Sequence, residues 1–174
     1  FNLIHSPSEA ELERGAVQLY LKHNITTVEA SAFLRLTPSV VRYRVAGLST
    51  DPQGNIATKN RIIAKVSRRE VAKQFLAPAP TRVLKQLLEE NLITEEQARL
   101  SEHVPMADDI TVEADSGGHT DNRPLSCLLP SMIELRDQAQ GEHNFSQQAR
   151  VGAGGGICSP AAALSTFMLG ADYL

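Results

Sequence analysis

In the run VEADSGGHTDNRP (112–124), an apolar segment gives way to a glycine pair, Gly117 and Gly118, and then to His119. An imidazole changes charge near neutral pH. Just beyond the end of a buried strand it can therefore give or take a proton as a general acid or base. Asp121 and Asn122 follow closely enough to orient its ring. No second His or Cys stands at ligand spacing, which argues against a zinc site, and no metal is expected. His5, His23, His103 and His143 are read as histidines without a chemical role.

A second run, GAGGGICSP (152–160), pairs glycines with a helix start, with Ser159 as N-cap and Pro160 at the first helical position. Glycines let backbone approach a ligand closely, and a helix start offers unpaired N–H groups and a positive dipole end. Together they suit a phosphate. The run is not a Walker A loop, since no Gly-Lys follows. It is not the dinucleotide fingerprint either, since Ile157 stands where the third glycine belongs. The alternative is a tight strand–helix turn without a ligand. Lys65 and Glu29 are charged residues near strand ends, and such a group either points into a site or reaches solvent. For Lys65 both readings stay open. Arg68 and Arg69 read as a solvated helix start, and Asp108 and Asp109, which precede a strand, as structural.

The elements that must position these residues are legible in outline. With 174 residues, 42% hydrophobic and 21% charged, the chain can build one domain with a sizeable core. A formal net charge of −3 gives no indication of a nucleic-acid groove. No apolar stretch is long enough to span a bilayer, and no signal peptide opens the chain. Cys127 and Cys158 form no disulfide framework, so a reducing cytoplasm is the default. The chain starts at Phe1 inside an apolar run and stops inside another, ADYL (171–174), which reads as part of a longer protein.

Strands are expected at 1–5, 26–33, 61–66, 109–115, 149–157 and 171–174, with a turn at 51–55. A capping box from Ser6 to Glu9 should open a helix running to about Lys22, with Leu12, Ala16, Leu19 and Tyr20 toward the core. Thr37 and Pro38 should start a second helix. Ser67 to Glu70 should cap a third, ending near 77–80. Two more helices follow, one with Val83, Leu84, Leu87 and Leu88 on a face and one capped at Thr94, forming a hairpin at 81–104. The segment LSCLLPSMIELRDQ is expected to be helical mainly after Pro130, and Ser159 opens a last helix to about Met168. No strand shows clean polar alternation, which predicts a parallel sheet buried on both faces. Of the two candidate folds, a doubly wound sheet and a (β/α)8 barrel, the barrel is preferred. The chain would then be a partial TIM barrel of α/β class.

The segments NLIHSP, VEASAF, LTPSVVRYR, AKVSRREVA, PMADDITVEADSGGHTDNRPL and RVGAGGGI closely resemble the stand-alone, PfaD-type enoyl reductases of polyunsaturated fatty-acid synthases and trans-acyltransferase polyketide synthases. These belong to the wider nitronate monooxygenase-like superfamily. The resemblance covers nearly the whole chain. It implies that 1–174 is part of one FMN-binding TIM-barrel domain, about strands three to eight, with 81–104 as a helical insertion. It implies NADPH or NADH as reductant and an enoyl thioester on an acyl carrier protein as substrate. Hydride would pass from nicotinamide to flavin N5 and on to the β-carbon. By the same resemblance His119 lies by the flavin and polarises the thioester carbonyl or protonates the α-carbon. Asn2, Lys65, Ser116, Gly117 and Gly118 border the cofactor, and Gly154, Gly155 and Gly156 hold its phosphate. The strands and the TGS-like turn that would complete the flavin site are missing from these residues. Other synthase subunits are implied partners, and a homodimer is compatible.

Two other readings are carried. One keeps the flavin but changes the chemistry to nitronate oxidation with His119 as base; the extended HTDNRP after the glycine pair argues against it. The other is a non-catalytic barrel fragment, an interaction module that associates through exposed sheet edges.

Overall fold

The computed structural model describes residues 1–114 and 121–174. In chain order its elements are β1 (Asn2–Ile4), α1 (Ala10–Lys22), β2 (Thr27–Ser31), α2 (Pro38–Val45), β3 (Leu48–Thr50), β4 (Ile56–Thr58), β5 (Arg61–Val66) and α3 (Arg69–Phe75). Then come α4 (Thr81–Glu89), α5 (Glu95–Leu100), a 3₁₀ turn (Ser101–His103), β6 (Asp109–Glu113), α6 (Leu125–His143), β7 (Arg150–Gly154) and α7 (Pro160–Met168).

Strands β1, β2, β5, β6 and β7 make one parallel sheet in that spatial order. Each strand joins beyond its predecessor, so the order never reverses. A doubly wound sheet reverses at a switch point, whereas one-way winding is the order of a barrel wall. Among the described residues the sheet is open, with β1 and β7 at its edges, and no closed barrel is formed. Leu3, Val28, Ala30, Ile62, Ala64, Ile110, Val112 and Val151 are buried in the main core together with Val40, Val41, Val71, Phe75 and Leu129 from the helices.

The parallel sheet is as expected, but it is not apolar on both faces. In β2, β5 and β6 the residues Glu29, Lys65, Thr111 and Glu113 are only partly buried, between fully buried neighbours. Polar and apolar residues therefore alternate, and among the described residues the helices share the main core with the buried positions. The reading of buried, unalternating strands is corrected accordingly.

Local signals fared well where the cap is a side chain of the helix's own first turn. Thr37 Oγ1 accepts from Val40 N, Thr94 and Gln97 form a full capping box, and Ser159 Oγ accepts from Ala162 N. The other two caps do not form. Ser6 Oγ donates to the Glu9 carboxylate at 3.1 Å instead of accepting a backbone N–H, and α1 begins only at Ala10. Ser67 Oγ donates to Asp121 Oδ2 at 3.3 Å, and α3 starts after Arg68.

Helix α1 also presents a different face. Ala16 and Tyr20 pack against the core as expected, but Leu12 and Leu19 are exposed and Glu13 and Val17 are buried in their place, Glu13 taking partners from two other segments. Helix α6 begins at Leu125, ahead of Pro130. The missing Pro130 N–H leaves the Ser126 carbonyl without its helical donor on an exposed face, where water can serve it. Strands β3 and β4 pair as an antiparallel hairpin around the expected 51–55 turn. The tail 171–174 is not a strand. It is tied to β7 by Asp172 N to Val151 O at 2.8 Å and by Ala153 N to Tyr173 O at 3.1 Å.

Candidate active site

The strand register sets the polar residues in rows. Asn2 stands beside Glu29, Glu29 beside Ile63, and Ile63 beside Asp109, which pairs with Arg150. One step nearer the strand C-termini, Lys65 stands beside Thr111 and Thr111 beside Gly152; Glu113 stands beside Gly154. Side chains in register on a parallel sheet share a face. Asn2, Lys65 and Gly154, expected in the site, thus lie on one polar face, opposite the helices.

Lys65 is held there by two carboxylates. Its Nζ lies 3.2 Å from Glu29 Oε1 and 3.7 Å from Glu113 Oε1. Its side chain is 24% exposed and ion-paired on the shared polar face. Asn2 Oδ1 accepts from Ser31 Oγ at 2.8 Å, which ties the amide at the start of β1 to the end of β2. Glu113 and Ser31 were not anticipated. Their signal was the period-two pattern of DITVE and TVEAS, in which the polar positions share the face of Lys65.

Gly154 ends β7, and Gly155 and Gly156 follow with φ of +85° and +72°. An L side chain is strained in this left-handed region, so the turn depends on glycine. In front of it an open groove of about 560 Å³ is lined by Gly154, Gly155, Gly156, Ser159 and Leu174. Helix α7 starts at its margin, where Pro160 has no N–H and the Ala162 and Ala163 N–H groups donate to Ser159. A phosphate fits this cradle. Ser116, Gly117, Gly118 and His119 lie outside the described residues.

The tail closes one side of the polar face. The Tyr173 ring packs on Gly152, where an added Cβ would come within 2.4 Å of it. Its hydroxyl lies 2.8 Å from Thr111 Oγ1, and Arg150 stacks 5.3 Å from the ring centre. Desolvation pushes the Tyr173 phenol up to about 12, against the opposing hydrogen bond from Thr111.

The opposite, N-terminal end of the sheet is locked by ion pairs. Arg44 Nη1 lies 2.7 Å from Asp108 Oδ2 and 3.0 Å from the Asn60 carbonyl, and Arg44 Nε donates to the Pro105 carbonyl. Burial lowers the Arg44 pKa, and Asp108 opposes the shift. Arg150 grips Asp109 through two parallel bonds of 2.7 and 2.9 Å. These pairs bear out the structural reading of Asp108 and Asp109. Among the described residues no cluster of His, Cys, Asp and Glu could hold a metal ion. Nor is any described helix long and apolar enough to cross a membrane.

No protein-family model matches the chain. It is 53% identical over 175 residues to a polyunsaturated fatty acid synthase subunit of Thraustochytrium sp., covering 99% of this chain and 12% of that protein. It is 49% identical over 173 residues to polyketide biosynthesis protein PksE of Bacillus subtilis, covering 99% of this chain and 23% of that protein. The chain thus spans less than a quarter of the length of these relatives. Among solved structures it is similar to the enoyl reductase domain of MlnA, from the macrolactin biosynthesis cluster of Bacillus amyloliquefaciens. The TM-score is 0.93 at 38% identity, over 98% of this chain and 38% of that one.

Proposed function

We propose that the chain is part of an FMN-dependent enoyl reductase that reduces the α,β double bond of carrier-bound enoyl thioesters in polyunsaturated fatty-acid or polyketide biosynthesis. The observation that carries this reading is the near-complete superposition on an enoyl reductase domain at 38% identity. The one-way strand order supports a (β/α)8 barrel completed by segments outside these residues, with 81–104 as an insertion.

When bound, FMN would supply the hydride-transfer chemistry between NADPH or NADH and the enoyl group. The chain's residues supply position and one proton. The Gly154, Gly155 and Gly156 turn would hold the flavin phosphate. Asn2 and Lys65 would border the flavin, with Lys65 steadied by Glu29 and Glu113. By the resemblance, Ser116, Gly117 and Gly118 would line the cofactor. His119 polarises the thioester carbonyl or protonates the α-carbon. Partners are an acyl carrier protein and other synthase subunits in the cytoplasm.

The test is His119→Ala in the full polypeptide that carries these residues. Flavin content should be unchanged, while enoyl thioester reduction slows by about 10²–10⁴-fold, the usual worth of a general acid. Unchanged turnover would remove His119 from the chemistry.

A further inference from the structure

A separate groove of about 570 Å³ lies outside the sheet, between α1, the segment leading into α2, and α4. It opens beside His5 and Thr37, just past β1 and β2, at the same end as the strand C-termini. Arg14, Arg35, Arg42 and Arg82 line it.

Three carboxylates line it as well. Glu13 is buried and bonded to His5 Nδ1 at 2.9 Å and to the Thr37 hydroxyl. Glu11 lies 3.9 Å from Arg14, and Glu90 accepts from the Gln86 side chain at 2.9 Å. Among the described residues Arg35, Arg42 and Arg82 have no carboxylate within the 4.0 Å of a salt bridge. The Nε of Arg42 is buried and has no hydrogen-bond partner.

Four guanidinium groups against three carboxylates leave the lining with an excess of positive charge. One anion with several oxygens offsets it at the guanidinium edges that reach the groove. Guanidinium forks match phosphate oxygens in geometry as well as charge. The groove has the size of a small-molecule site, and Leu36, Val83 and Leu87 add apolar lining beside the arginines. We propose that this groove binds the phosphate group of a phosphorylated small molecule or prosthetic arm, with Arg42 as its innermost ligand and Arg35 and Arg82 at its sides. Under the function proposed above, on which only the choice of source rests, that phosphate belongs either to the ribose of NADPH or to the phosphopantetheine arm of a carrier protein.

Isothermal titration of the full polypeptide at low ionic strength tests this with four probes: adenosine 2′-monophosphate, 4′-phosphopantetheine, adenosine and pantetheine. One phosphorylated probe should bind at one site per chain, at least about tenfold tighter than its dephosphorylated counterpart. Arg42→Gln should weaken it by about tenfold or more. Arg35→Gln, on an exposed loop where folding is not at stake, should weaken it in the same direction. Whichever probe binds identifies the source. Binding of neither phosphorylated probe, or binding indifferent to the phosphate or to both substitutions, overturns the proposal. The flavin spectrum, read on the same samples, should be unaltered in both variants. A lost phosphate site with flavin retained would thus fail this inference alone, whereas absent flavin would fail the proposed function alone.

Discussion

The ring of Tyr173 occupies the space where a side chain at position 152 would stand: a Cβ added to Gly152 would lie 2.4 Å from the ring. This contact pins the tail 171–174 across β7. Gly152→Ala must displace the ring and with it the Thr111 hydrogen bond. The expected cost is about 1–3 kcal/mol, as for overpacking elsewhere. Urea unfolding checks it, and an unchanged midpoint would show that the tail can move aside freely.

Two phenols should report burial through pH. Burial raises Tyr43 and Tyr173 to about 12 from an ordinary 10.0. The folded chain therefore keeps both protonated where the unfolded chain ionises. Stability from this source is complete below pH 10 and is lost as pH rises from about 10 to about 12. Tyrosinate absorbance should show a late-titrating component that shrinks in Tyr43→Phe and again in Tyr173→Phe. Tyr43 and Tyr173 titrating near pH 10 would contradict the packing described for both rings.

At the N-terminal end of the sheet, Arg44→Ala leaves the Asp108 carboxylate with the Ile62 N–H but without its cation. Removing one partner of a buried pair costs about 3–5 kcal/mol. The destabilisation should appear in chemical denaturation, with little effect on any ligand bound at the far end of the strands. A loss below about 1 kcal/mol would place this pair among weak surface bridges.

The glycine turn gives a paired test. Gly155 has φ +85°, so Gly155→Ala carries backbone strain of about 1–2 kcal/mol. Gly155→Asp adds a carboxylate to the same strain. In the full polypeptide the alanine variant should retain flavin and the aspartate variant should lose it. Equal retention by both would mean that no phosphate sits at the turn.

What the sequence made legible follows from how local each determinant is. Thr37, Thr94 and Ser159 cap helices through bonds within one turn, so their residue types sufficed. The glycines at 154–156 announced a tight turn for the same reason. Burial of Glu13 was not legible, since it depends on His5 and Thr37 arriving from elsewhere in the chain. Nor was the Gly152–Tyr173 contact, which joins residues brought together only by the tail's return to β7. The polar face was written plainly in Glu29, Lys65, Thr111 and Glu113. It was obscured by treating a parallel sheet as buried on both sides, a rule that holds only when helices cover both.

The most direct test of the central claim is the visible absorption spectrum of the purified full polypeptide, taken before and after anaerobic NADPH and then NADH. A bound flavin that bleaches with either nucleotide, and recovers its colour on addition of an enoyl thioester, is the predicted result. A flavin that neither nucleotide bleaches would favour nitronate oxidation, and a colourless protein that takes up no added FMN would contradict the flavoenzyme reading outright.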